Sequence, residues 1–268
     1  MTRVVSGAGL AVVAVAVVWF APPLLFLAVA ALLLIGAFVE FAELAAASGL
    51  AIPRIAAGSA TVITAFGIGS AAWLSQPRPA AALDAVVMTV VIALATVTLM
   101  CWRGGPGALG LAAASLFPSL YLGLPIGAMV SIRESRGRDG LLLLMLTIAV
   151  SDTAQYYSGR AAGRRPLAPA ISPKKTIEGA IGGFVCGALT FAVAGRWWLP
   201  DLAIGFRALV GVAIVALGIA GDLFESMLKR SAGVKDSSSL IPGHGGLLDR
   251  IDALLFAAPV YYIVLRYV

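Results

Sequence analysis

The sequence predicts an all-α fold: a polytopic integral membrane helical bundle of about nine transmembrane helices. Three observations predict it. Of the 268 residues, 60% are hydrophobic and only 12% are charged. A soluble domain carries roughly 25% charged residues, so too few remain here to cover a water-facing surface. The apolar residues also fall in runs of about twenty, the length that crosses a bilayer as a helix. Finally, no stretch shows the alternating ten-residue pattern of a membrane β-barrel. Backbone polar groups in lipid then leave helix as the remaining solution.

The nine segments follow in order, with boundaries good to about four residues. The first, about 4–21, follows Arg3 and runs to Pro22-Pro23 without a small-residue cleavage site, so a retained span is expected rather than a leader. The second is about 24–47, the third about 53–74 and the fourth about 82–102. The fifth, about 107–130, contains Pro118 and Pro125, which should kink it. The sixth is about 140–157, the seventh about 177–195, the eighth about 202–227 and the ninth about 247–266. Residues 1–130 read as a structural part concerned with lipid access or oligomer contacts, and 131–268 as the catalytic part.

Two loops stand out, 158–176 (SGRAAGRRPLAPAISPKKT) and 228–246 (KRSAGVKDSSSLIPGHGG region). A full hairpin separates them, so they share one membrane face. Arg78, Arg133, Arg136, Arg138, Arg196, Arg207 and Arg266 fall on the opposite face, and the remaining twelve of the 19 Lys and Arg residues share the face of the two loops. The positive-inside rule therefore places the two loops in the cytoplasm, in a bacterial-type inner membrane. The loop SIRESRGRDG, with three arginines, runs against that rule. The net charge of +6 suits anionic lipid and anionic substrates rather than nucleic acid. Cys101 and Cys186 form no metal or redox motif and read as packing residues.

The densest chemistry lies in Ser226 to Asp252, SMLKRSAGVKDSSSLIPGHGGLLDRID. Charge beside hydrocarbon is costly, which makes such a cluster a functional-site hypothesis. Asp222, Ser226 and Lys229 recur at i, i+4 and i+7 on one helix face, and Glu225 can pair with Lys229 at i+4. Asp249 and Asp252 share a face at the start of the ninth segment. Gly243, Gly245 and Gly246 permit close approach of the backbone to a ligand. Amides at that helix start are expected to face an anion. If the last two helices are neighbours, Asp222 and Asp249 face one another across a cleft and need a cation between them. Mg²⁺ takes one or two carboxylates and completes its shell with phosphate and water. His244 is the single histidine, so no second one is available to build a zinc site with it, and a metal role is not expected of it. Upstream, Asp152 lies in an apolar context. Ser172, Lys174, Lys175 and Thr176 precede the seventh segment, with Glu178 in its first turn. Two lysines beside two hydroxyls suit phosphate. No Walker pattern occurs.

These residues resemble the signature of the phosphatidate cytidylyltransferases, also called CDP-diacylglycerol synthases. Ser226, Lys229-Arg230, Lys235-Asp236, Pro242, His244-Gly245-Gly246, Asp249-Arg250 and Asp252 fill every fixed position of that pattern. The stretch SDTAQYYSGR…LAPAISPKKTIEGAIGG is similar to the family's second conserved region. It departs at Gln155, where a small residue is usual, and at Arg164, where lysine is common. Before about residue 145 the likeness is one of topology and hydrophobicity alone.

The resemblance implies the reaction CTP + phosphatidate → CDP-diacylglycerol + pyrophosphate, and a homodimer. It implies Mg²⁺, with an accessory monovalent cation such as K⁺, on Asp222 and Asp249. Asp222, Asp249, Lys229, Arg230, Lys235, Asp236 and Asp252 are the expected catalytic residues. Asp152, Ser172, Lys174, Lys175, Thr176, Glu178, Ser226, His244, Gly245, Gly246 and Arg250 are the expected substrate-binding residues. The rival readings are a related CTP-using enzyme (a CDP-archaeol synthase or a polyprenol kinase) and a transporter.

Overall fold

A computed structural model describes residues 2–69, 81–102, 104, 107–241 and 245–267. Helices α1 (Thr2–Phe20), α2 (Pro23–Ala47), α3 (Arg54–Gly69), α4 (Ala81–Cys101) and α5 (Ala108–Pro118) come first. A π-helical turn, Ser119–Gly123, leads into α6 (Leu124–Ala162), then α7 (Ile177–Trp198), α8 (Ile204–Ser231) and α9 (Leu248–Tyr267). The chain is all-α and multi-pass. By length and composition Pro23–Ala47, the stretch Ala108–Ala162, Ile177–Trp198 and Ile204–Ser231 can cross a membrane. The apolar helices Gly9–Phe20, Arg54–Gly69 and Val86–Cys101 are shorter. Helix occupies a part of each of the nine expected segments among the described residues.

The structure departs from the expected organisation in two places. The expected 131–139 loop is helix apart from Gly137, whose φ of 76° and ψ of 175° break α6 at a single residue. That left-handed φ suits glycine, which has no Cβ to clash. The arginines around it explain why so short a junction suffices. Arg133 Nη2 donates to Ala21 O, Arg136 Nη2 donates to Leu265 O, and Arg138 Nη1 donates to Trp19 O at 3.2 Å. These carbonyls lie at the C-terminal ends of α1 and α9, where orphan acceptors and the negative end of the helix dipole attract cations. Arg133 also lies over Phe26 at 4.8 Å and Arg138 over Trp19 at 4.5 Å. The three charges that run against the positive-inside rule are thus spent within the protein.

The second departure is a small antiparallel hairpin within the 158–176 loop. Its strands are β1 (Pro166–Ala168) and β2 (Ser172–Thr176), closed by Ile171 N donating to Ala168 O. Pro166, Pro169 and Pro173 deny this stretch a helix.

Helices α6 to α9 pack against one another as the core of the C-terminal part, and α3 packs on α6 and the π turn. Hydroxyls in the apolar helices bond back to their own backbone, as Thr61 to Ala57 O, Thr98 to Leu94 O and Thr147 to Leu143 O do. This satisfies a polar group that has no water to turn to. Phe41, Phe117, Tyr121, Phe224 and Phe256 form one aromatic cluster joining α2, α5, α8 and α9.

Helices α8 and α9 approach closely at Gly221, where a Cβ would lie 2.5 Å from Asp252 O. Gly221→Ala therefore must push the two helices apart. We expect a loss of about 1–3 kcal/mol, the range for overpacking, read as a lower thermal midpoint in detergent. An unchanged midpoint would show that the approach is looser than this.

Candidate active site

The polar residues gather at the end of the bundle opposite the Gly137 junction. Here the C-terminal turns of α8 meet the start of α9, flanked by the C-terminal third of α2, the later part of α6 and the β hairpin. From β2, Lys175 forms an ion pair with Asp222 of α8. Ser226 Oγ donates to Asp222 Oδ1 at 3.5 Å. Asp152 of α6 is held by Gln155 Nε2 at 3.1 Å, and Gly183 leaves the space in which the Gln155 side chain lies. Asp152, Asp222 and Asp252 lie within electrostatic reach of one another.

One turn nearer the helix end is a second group. Lys229 is 8% exposed and is ion-paired with both Glu225, which is fully buried, and Asp249. The expected i,i+4 pairing of Glu225 with Lys229 is therefore present. The other oxygen of Asp249, Oδ2, accepts from Gly246 N at 2.7 Å, Ser237 N at 3.0 Å and Ser237 Oγ at 2.8 Å.

Asp222 and Asp249 thus sit on neighbouring helices at the same end of the bundle, each with its own lysine. Gly221 is level with Asp252, which puts Asp222 and Asp249 about half a turn apart in depth, roughly 3 Å along the axis. Two carboxylates staggered in this way offer an ion one oxygen donor from each helix rather than a closed cage. Among the described residues, no three of His, Cys, Asp and Glu converge as a ready-made metal site.

The largest contribution that the sequence reading missed comes from α2. Glu40, only 4% exposed, accepts from Ser238 Oγ at 2.7 Å, Leu247 N at 2.9 Å and Leu248 N at 2.9 Å. Ser237 Oγ lies 2.9 Å from Glu40 Oε2 as well as close to Asp249. Its single proton therefore serves two carboxylates in turn. Gly246 has no room for a side chain, because a Cβ there would strike Glu40 and Ser237. The available signal was a glutamate within an apolar run, which is costly in lipid unless it has work to do.

Glu40 and Asp249 together take the free amides at the start of α9. That corrects the expectation that these amides face a bound anion; they face carboxylates of the protein itself. Phosphates must instead be met by side chains. Lys174 and Lys235 are exposed near the hairpin and the 228–246 loop, as is Asp236. Arg230 Nε donates to Ile171 O at 3.4 Å and its Nη1 to Val234 O at 3.3 Å, tying the hairpin to that loop.

Three expected substrate-binding residues are occupied with local structure. Thr176 caps α7 by accepting from Gly179 N at 3.1 Å, the usual use of a threonine at a helix start. Glu178 accepts from Arg164 N at 3.0 Å and Arg165 N at 3.2 Å. Gly245 forms the turn opposite Ile241 with a φ of 79°. Ser172 opens β2, and Arg250 lies exposed in the first turn of α9. His244 lies outside the described residues.

An apolar cleft of about 350 Å³ flanks this end of α8, lined in part by Phe41, Leu44, Phe117, Phe224 and Leu228. The helical bundle thus carries carboxylates and cations at one end, with an apolar cleft beside them.

The chain belongs to the cytidylyltransferase family, whose profile matches residues 1–268. It is similar to the phosphatidate cytidylyltransferase of Aquifex aeolicus, at 44% identity over 151 residues, 56% of each chain. It is 48% identical over 126 residues to that of Haemophilus influenzae, covering 45% of this chain and 43% of the relative. With that of Thermotoga maritima it shares 40% identity over 153 residues, 55% of this chain and 56% of the relative. The chain thus spans about half the length of the relatives it matches.

Proposed function

We propose that this chain is a membrane nucleotidyltransferase that moves CMP from CTP to phosphatidate, giving CDP-diacylglycerol and pyrophosphate. Family membership and the names of its relatives support the reading. The observation that carries it is the imbalance of charge at the site. Glu40, Asp152, Asp222, Glu225, Asp249 and Asp252 gather around two ion-paired lysines, Lys175 and Lys229. Glu40 is met by four hydrogen-bond donors, whereas Asp152 and Asp252 accept from Gln155 Nε2 and Ala253 N. An anionic nucleotide meets repulsion there unless a cation comes with it.

The donor set suits Mg²⁺, which binds one or two carboxylates and leaves the rest of its shell to phosphates and water. Asp222 and Asp249 would hold it, with a monovalent cation such as K⁺ beside it. When bound, the ion offsets the negative charge that develops on the phosphates during transfer.

In the reaction a phosphate oxygen of phosphatidate forms a bond to the α-phosphorus of CTP, and the bond from that phosphorus to the bridging oxygen of pyrophosphate breaks. Phosphatidate is already anionic, so no side chain must remove a proton. The chain's own work is placement and charge neutralisation. Lys174, Lys175, Arg230 and Lys235 receive the phosphates. Lys229 is fixed between Glu225 and Asp249. Asp152 and Asp252 orient the cations, and the apolar cleft beside α8 accommodates lipid chain. The site faces the cytoplasm of a bacterial inner membrane, and the working unit is a homodimer.

Purified protein given labelled CTP and phosphatidate is expected to yield a lipid-soluble cytidine product and pyrophosphate. Release of CDP instead would mark transfer of the γ-phosphate and overturn the reading. Turnover is expected to vanish in excess EDTA and to return with Mg²⁺. Full activity without a divalent cation would remove the metal from the scheme.

A further inference from the structure

We propose that Glu40 is a positioning residue for the site, a role that rests on the cytidylyl-transfer reading above. It lies in the half of the chain where the sequence signals only structural helices. Among the described residues, no lysine or arginine is ion-paired with it. Its buried charge is instead met by the start of α9, through Leu247 N and Leu248 N, and by the hydroxyl of Ser238. The positive end of the α9 dipole points at the same carboxylate.

The effect reaches the cations by a short relay. Ser237 Oγ lies within 2.9 Å of Glu40 and 2.8 Å of Asp249. Asp249 in turn accepts from Ser237 N and Gly246 N and holds Lys229. Glu40 therefore sets where Ser237, Ser238 and the start of α9 sit, and these set where Asp249 presents its second oxygen. Glu40 touches no reacting atom. It acts through Ser237 and the helix start, and it ties the N-terminal half of the chain to the chemistry.

The test uses the full chain in detergent, with Glu40→Gln, Glu40→Asp and Glu40→Ala beside the wild type. Glutamine keeps the shape but turns an NH₂ toward a backbone N–H that needs an acceptor. For Glu40→Gln and Glu40→Ala, kcat is expected to fall about 30-fold or more, the scale of a misplacement of about 1 Å. KM for CTP is expected to stay within about threefold, and CTP to bind at an unchanged number of sites per chain, because the phosphate-binding side chains remain. Glu40→Asp keeps the charge and is expected to recover most of the loss. Amide hydrogen exchange over residues 245–248 is expected to quicken in Glu40→Ala.

Wild-type kcat in Glu40→Gln overturns the proposal. So does a loss of turnover that merely matches a loss of CTP-binding sites, which is what damage to folding alone would give. If the wild type itself makes no CDP-lipid, the parent reading falls instead. Exchange at 245–248 then decides for Glu40, and unchanged rates in Glu40→Ala refute it.

Discussion

Asp249→Asn is expected to cost the protein both its turnover and part of its stability. The carboxylate makes four contacts: Lys229 on one oxygen, and Ser237 N, Ser237 Oγ and Gly246 N on the other. Asparagine keeps the shape but replaces one acceptor oxygen with a donor. Either a backbone N–H loses its partner, at about 1–3 kcal/mol, or the new NH₂ is turned onto Lys229. The pair is buried, with side-chain exposures of 10% and 7%. Removing one member of such a pair costs about 3–5 kcal/mol; Glu225 still partners Lys229, so the lower end applies. Thermal unfolding in detergent and cytidylyl transfer should fall together. Adding Lys229→Met should return part of the stability and none of the activity, because it removes the stranded charge without replacing the site. A variant with wild-type midpoint and wild-type turnover would end the case for Asp249.

Asp222→Asn should separate those two effects. Its pair with Lys175 is part-exposed, at 31% and 23%, and exposed ion pairs contribute little. The stability cost is then below about 1 kcal/mol. Turnover is nonetheless expected to drop by about a thousandfold or more, because charge stabilisation by a site ion depends on its ligands. Equal thermal midpoints with near-background product formation would mark Asp222 as a residue of the reaction. Activity within tenfold of wild type would exclude it.

The helices were legible because lipid leaves the chain few options: a run of apolar residues must fold its backbone bonds inward. The same physics hid the Gly137 junction. SIRESRGRDG reads as an exposed loop, yet its arginines find helix ends that lie more than a hundred residues away in sequence. The hairpin was hidden by brevity, since three prolines and a five-residue strand carry no clear alternation. Within the site, pairs on one helix were readable from spacing, as with Glu225 and Lys229. Glu40 was not, because its partners lie about two hundred positions later. Nor could spacing tell that the amides of α9 are already taken. That depends on which carboxylate reaches them first, a question of tertiary packing.

Arg133 and Arg138 donate to carbonyls of Ala21 and Trp19, residues made before them. Arg136 waits for Leu265, 129 residues later. During synthesis the Arg136 guanidinium therefore lacks this carbonyl until α9 has been made. Helix α9 works as a bolt, fastening the Gly137 bend from a distant part of the sequence.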